Sequence, residues 1–122
     1  MELKEAMTGL LDARKQLRSI QGRDDPNFMS KHMMRLASYT GAIEEHLSKY
    51  EKLYEKKRYK LYLEYAEKAS STAADNRAKA ETAGLDGDIK KLTRLSSSSW
   101  KIVSTIQSRY NHLKEEIAGQ ET

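Results

Sequence analysis

A chain of 122 residues suits one domain, but with 33% charged side chains and only 38% in the hydrophobic set it is poor in core-forming residues for a compact globule. The absence of cysteine excludes disulfides and thiolate metal sites, and strand signals are poor, with a single valine and no alternating apolar run of useful length. The net charge of +4 is unevenly placed: residues 1–48 carry seven basic and seven acidic side chains, residues 49–65 six and three, residues 66–122 nine and eight.

Residues 2–20 read as a first helix, in which Leu3, Met7, Leu10 and Leu17 follow at steps of four, three and seven with Arg14 in the skipped place. QGRDDP interrupts it. Asp24 or Asp25 is then placed to cap the next helix, and Pro26 suits its first turn. That second helix is expected over about 26–70. Met29, Met33, Leu36, Thr40, Ile43, Leu47, Tyr50, Tyr54, Lys57 and Leu61 keep a four–three alternation along it, a heptad seam whose period favours left-handed supercoiling. Such a helix is roughly 65 Å long at about 1.5 Å per residue. A globule of this chain length has a radius of gyration of only about 14 Å and cannot enclose it.

SSTAADNRAKAETAG predicts a short helix over 72–83, capped by Ser71 or Thr72 and ended by Gly84. Its apolar face is alanine alone, so it is expected to be weakly held. GLDGD reads as a break, with Asp86 or Asp88 capping a last helix over 88–118. There Leu85, Ile89, Leu92, Ser96, Ser99, Val103, Ile106, Tyr110, Leu113 and Ile117 again hold four–three spacing, Ser96 and Ser99 giving close approach or room for Trp100. The expected fold is all-α: one helical domain over 1–122, with long helices in an antiparallel, coiled-coil-like hairpin and a shorter N-terminal helix. Other copies would complete the seams in a homo-oligomer. The seam residues expected to carry packing and assembly are Ile43, Leu47, Tyr50, Tyr54 and Leu61, with Leu92, Val103, Ile106, Tyr110, Leu113 and Ile117.

No apolar run approaches the roughly 18 residues of a membrane span. The opening MELKEAMTGLLDARKQ, acidic early and mixed in pattern, does not read as a signal peptide. His32, His46 and His112 show no metal-ligand spacing with one another or with carboxylates, and read as solvated or interface histidines. Phosphate-binding glycine loops and nucleophile elbows are absent from the sequence. Glu44–Glu45 and Glu115–Glu116 are adjacent pairs that diverge by about 100° on a helix and cannot easily share an acid–base site. The expectation is a binding protein without cofactor or metal, not an enzyme.

The informative stretch is KYEKLYEKKRYKLYLEY, residues 49–65. On a helix, Lys49, Lys52, Lys56 and Lys60 fall within about 80°, away from the seam. Lys52–Lys56 and Lys56–Lys60 are like-charge pairs one turn apart, each weakening an isolated helix by a few tenths of a kcal/mol. A stripe that retains them suits an external anion. A phosphate backbone fits the spacing, and Tyr59 and Tyr62, off the seam, offer faces for unstacked bases. Lys49, Lys52, Lys56, Lys57, Arg58, Tyr59 and Lys60 are therefore the candidate nucleic-acid contacts. The bland reading is a solvated face of an exposed helix, since Glu45–Lys49 and Glu64–Lys68 have the spacing of ordinary supporting pairs. An anionic membrane suits the stripe less well, because the opposite side carries Tyr and Lys rather than Trp, Phe and Leu.

The order LYEKKRYKLYLEYA, a variable polar segment, then SSSSWKIVSTIQSRYNHL resembles the UvsY-type recombination mediators of tailed phages. The matching residues are Lys56, Lys57, Arg58 and Lys60 followed by Leu61 and Tyr65, and downstream Trp100, Ile106, Ser108 and Arg109. The likeness covers roughly residues 28–117, and the N-terminal helix has no counterpart in it. It implies a helical, ring-like homo-oligomer that binds single-stranded DNA through the basic helix. It further implies that the chain helps load a RecA-like recombinase onto strands covered by single-strand-binding protein. Lys56, Lys57, Arg58 and Lys60 would then be the DNA contacts and the last helix would help assemble the oligomer, in the cytoplasm of a bacterial host if the source is a phage. Lys49 and Lys52 extend the basic stripe one turn earlier than the family pattern. The alternatives from other classes are a small helical phage or bacterial protein that inhibits or adapts another protein by direct binding, and a structural coiled-coil element.

Overall fold

The structure, a computed structural model, describes residues 1–121 as five helices: α1 (Leu3–Arg18), α2 (Ile20–Asp24), α3 (Pro26–Ala66), α4 (Ser71–Glu81) and α5 (Ala83–Glu121). Among the described residues there is no strand. The chain divides into two compact units. The first joins Met1–Glu44 to the segment from Leu95 onward, and the second is Glu45–Arg94.

In the first unit α1 buries Ala6, Leu10, Ala13 and Leu17, a strict four–three–four stripe. Leu10 and Leu17 lie as the sequence predicts, but Leu3 and Met7 are only half-buried and two alanines take the core positions. Alanine at these places lets the neighbouring helices approach closely. Gly9 does the same for α3: a Cβ there would meet the Tyr39 ring at 2.3–2.6 Å, so the ring lies directly over the bare backbone. Asp12 and Arg35 close the α1–α3 contact with an ion pair of 3.1 Å. From α3 the first unit receives Met29, His32, Met33, Leu36, Thr40 and Ile43, the seam predicted from its spacing plus one histidine. Fully burying Leu10, Met29, Leu36 and Ile43 contributes about 1.5–3 kcal/mol for each.

The contribution of α5 to this unit is polar where the seam has Ser96 and Ser99, both buried. The Ser96 hydroxyl donates to Glu44 Oε1 at 3.0 Å, and the Trp100 indole N–H donates to the same oxygen. Arg14 of α1 donates to Ser98 at 3.4 Å, and Arg109 donates to the Arg23 carbonyl at 2.9 Å. The buried Ser99 Oγ has no hydrogen-bond partner among the described residues.

Helix boundaries follow local capping chemistry. α1 stops at Ser19, whose backbone is extended and whose hydroxyl accepts from the Gly22 N–H at 3.1 Å. The segment expected to be a plain break therefore closes as the one-turn helix α2. Asp25 Oδ1 accepts from the N–H groups of Asn27 and Phe28 at 3.0 and 3.2 Å, and Pro26 opens α3 as anticipated. α3 ends at Ala66 rather than near 70, because Lys68 and Ala69 both turn back onto the Tyr65 carbonyl. Ser70, not Ser71 or Thr72, caps α4, accepting from the Ala73 N–H at 3.2 Å.

The largest departure is at GLDGD. The sequence predicts a break there and a helix from 88, yet α5 begins at Ala83 and runs straight through. Thr82 alone separates it from α4, with its N–H and hydroxyl both on the Ala78 carbonyl at 3.1 and 2.8 Å. The Asp86 N–H bonds the Thr82 carbonyl at 3.0 Å, continuing the ladder. Gly84 and Gly87 each cost about 1 kcal/mol relative to alanine in a helix. Asp86 offsets part of this, since an acid in the first turn favours the positive helix end and it pairs with Lys90 at 2.9 Å.

The second unit has a thin core, with Ala74, Ala78, Thr82 and Leu92 as its buried residues. Polar contacts must hold α4 there, and they lie beside the basic stripe.

Candidate nucleic-acid interface

The second half of α3 carries every residue singled out for charge, and all of them fall in the second unit. Lys49, Lys52, Lys56, Lys57 and Lys60 are exposed, and none forms an ion pair among the described residues. Leu53 and Leu63 share their side of the helix and are 51% and 47% exposed, so the stripe is amphipathic as well as cationic. The arrangement is a row of ammonium groups at one-turn spacing, none of them within ion-pair distance of a carboxylate among the described residues.

Arg58 differs from its neighbours. Its guanidinium forms an ion pair with Asp75 of α4 at 3.0 Å. The hydrogen bond from Arg58 holds the Asp75 carboxyl below its ordinary range, with Lys79 at 3.1 Å adding to the effect, and Asp75 in turn raises Arg58. Arg58 is therefore committed to α4 and is not a free cation like the lysines around it. Two turns further along α3, the Tyr65 hydroxyl donates to the Glu81 carboxylate, which pushes the phenol up. Arg77 lies over the Tyr65 ring at 4.5 Å and pairs with Glu81 at 3.9 Å. These contacts fasten an alanine-faced helix that apolar burial alone would hold weakly.

Fastening α4 in this way leaves a groove of about 350 Å³ lined by Tyr54, Glu55, Arg58, Tyr59, Tyr62 and Asp75. Tyr59, one of its lining residues, is 65% exposed. By helical rotation it lies about 20° from Lys52, so the aromatic groove and the lysine stripe adjoin. Tyr54, read from spacing as a seam residue, is half-buried and also lines this groove. Lys57, also on the seam by spacing, is exposed. Asp75 was not anticipated as part of the site, and its spacing to Lys79 signals only an ordinary helical pair.

Of the other seam residues, Ile43 and Leu92 are buried, Leu47, Tyr50, Leu61, Val103, Ile106, Tyr110 and Leu113 are half-buried, and Ile117 is 44% exposed. His32 is buried against Phe28, with ring centroids 4.3 Å apart. His112 meets Glu116 at 3.1 Å, one turn along α5. Among the described residues no three His, Asp or Glu side chains gather as metal ligands, and no helix is long and apolar enough to cross a membrane. Comparison with protein-family models, with curated proteins and with solved structures finds no match to this chain.

Proposed function

We propose that the chain is a non-catalytic single-stranded-DNA-binding protein that self-associates and acts as a recombination mediator. The observation that carries this reading is the row of Lys49, Lys52, Lys56 and Lys60 on one side of α3, with Lys57 exposed next to it, all free of ion pairs among the described residues and beside a groove that three tyrosines help to line. Ammonium groups at this spacing follow a phosphate backbone, and binding through them is salt-dependent and nearly indifferent to sequence. The half-buried seam residues of α3 and α5 supply apolar surface for self-association. Repeating a modest site around an oligomer raises the effective concentration of each further site on the same strand. Loading of a RecA-like recombinase onto strands covered by single-strand-binding protein rests on the likeness to UvsY-type mediators.

Fluorescence anisotropy of labelled oligo-dT, measured across a salt series, tests the DNA reading. Tight binding at low salt is expected, lost when Lys56, Lys57 and Lys60 are reversed to Glu. Absence of binding at low salt, or indifference to the reversal, refutes it. Light scattering at micromolar concentration tests the assembly, and a monomer refutes it.

A second reading, an adaptor or inhibitor that binds another protein, is favoured by a different surface. In the first unit Leu17, Ile102 and Ile106 floor a groove of about 290 Å³ that Arg14, Arg18 and Lys101 border. Failure of DNA binding together with an intact fold would bring this surface forward.

A further inference from the structure

We propose that the groove between the second half of α3 and α4 is a nucleobase site, which takes one unstacked base of a strand whose phosphates lie on the adjoining lysines. This deepens the DNA reading above and rests on it. Three of the six lining side chains are tyrosines, all from α3. Phenol rings present flat, weakly polar surfaces on which any base can stack without hydrogen-bond readout. A volume of about 350 Å³ is at the small end of the range for small-ligand sites, suited to a single ring system rather than a folded chain.

The charges around the groove support a base rather than a phosphate as its occupant. Asp75 and Glu55 line it, and carboxylates repel phosphate. Arg58, the cation within the lining, is already paired to Asp75 at 3.0 Å. Outside the groove the unpaired Lys52 and Lys56 begin about 20° round the helix from Tyr59. A strand laid along the lysines can therefore turn a base inward while its backbone stays on the cationic side. In this arrangement Arg58 is a positioning residue: braced by Asp75, it fixes the spacing of α3 and α4 and so the width of the slot. This separates it from the lysines with which its charge groups it.

The test compares a fluorescein-labelled oligo-dT of 15 nucleotides with an abasic strand of the same length, by anisotropy at one low salt concentration. The wild-type chain is expected to bind the dT strand at least roughly tenfold more tightly, the order of one stacked base. Joint Tyr59→Leu and Tyr62→Leu substitution keeps bulk but removes the rings, and is expected to erase that ratio while leaving abasic affinity within about twofold. Tyr59→Phe with Tyr62→Phe should restore the ratio. Replacing Lys56, Lys57 and Lys60 with Gln should weaken both strands alike. Equal wild-type affinity for the two strands overturns the base site and leaves the DNA reading standing, as does a leucine variant that weakens both equally. No binding of either strand overturns both.

Discussion

Two glycines in the same chain should respond to the same substitution with opposite signs. A Cβ on Gly22 would stand 2.3 Å from the Gln16 carbonyl oxygen and 2.8 Å from both the Leu17 Cα and its carbonyl oxygen. To reach even 3.0 Å from that first oxygen it must retreat by 0.7 Å (3.0 − 2.3). The atoms it meets are main chain, so no rotamer change relieves them. The retreat also stretches the 3.1 Å Gly22–Ser19 hydrogen bond that closes α2. Overpacking of this kind costs about 1–3 kcal/mol, and the entropy gained by restricting the unfolded chain returns about 0.4–1 kcal/mol. Gly22→Ala should therefore destabilise by about 1–2 kcal/mol. With an unfolding entropy of roughly 2.1 cal/mol/K per residue over this chain, that is a fall in Tm of about 4–8 °C. Gly41→Ala, in mid-α3 with no atom within 4 Å of the new Cβ, should instead raise Tm by about 2–4 °C. Thermal melts followed by circular dichroism read both. A Gly22→Ala variant melting at or above wild type would refute the close packing of α2 on the end of α1.

Other consequences are measurable in the same way. If the five exposed lysines each neutralise one phosphate, the logarithm of affinity for single-stranded DNA should fall against log salt with a slope near −3.5 per protomer, about −0.7 for each contact; a slope shallower than about −1 contradicts the count. Ser99→Ala removes a buried hydroxyl that has no partner and should stabilise by about 1 kcal/mol, so a lower Tm would mean that this hydroxyl is satisfied. His32 carries a depressed pKa, first through burial and then through the charges of Arg35 and Lys31, with Asp12 opposing. Its Nδ1 lies 2.8 Å from Arg35 Nη1, an acceptor's place for the neutral ring. The unfolded chain therefore takes up the proton first: this stability is whole above about pH 6.5 and is lost as pH falls below it. Melts from pH 7.5 to 5.5 should show Tm falling, less steeply in His32→Gln, and parallel profiles for the two proteins would exclude His32 as the cause.

Spacing alone recovers much of the architecture. The all-helical character follows from it, and so does the α3 seam, whose Met29, Met33, Leu36, Thr40 and Ile43 are all buried. What spacing misses has physical causes. Ala6 and Ala13 displace Leu3 and Met7 from the core of α1 because close helix approach rewards small side chains, a requirement visible only once the partner helix is in place. GLDGD reads as a break because glycine and aspartate serve both helix caps and first turns, and only the ladder through Thr82 decides between them. The lysine stripe is legible because it depends on one helix. The pairing of Arg58 with Asp75 joins residues seventeen positions apart across a turn, and no local pattern marks it. The tyrosine groove is hidden for the same reason: Tyr59 and Tyr62 stand out as off-seam aromatics, but the groove they line also takes Asp75 from α4.

The single tryptophan of the chain, Trp100, sits in the first unit with its indole on Glu44, while five of the seven tyrosines lie in the second. Emission from Trp100 therefore follows the loosening of one unit by itself, whereas circular dichroism sums the helices of both. Recorded side by side during heating, the two signals make the chain its own differential thermometer. Coincident curves mean that the thin alanine core beside the lysine stripe melts with the rest, and a dichroism loss that runs ahead of the indole signal means that it opens first.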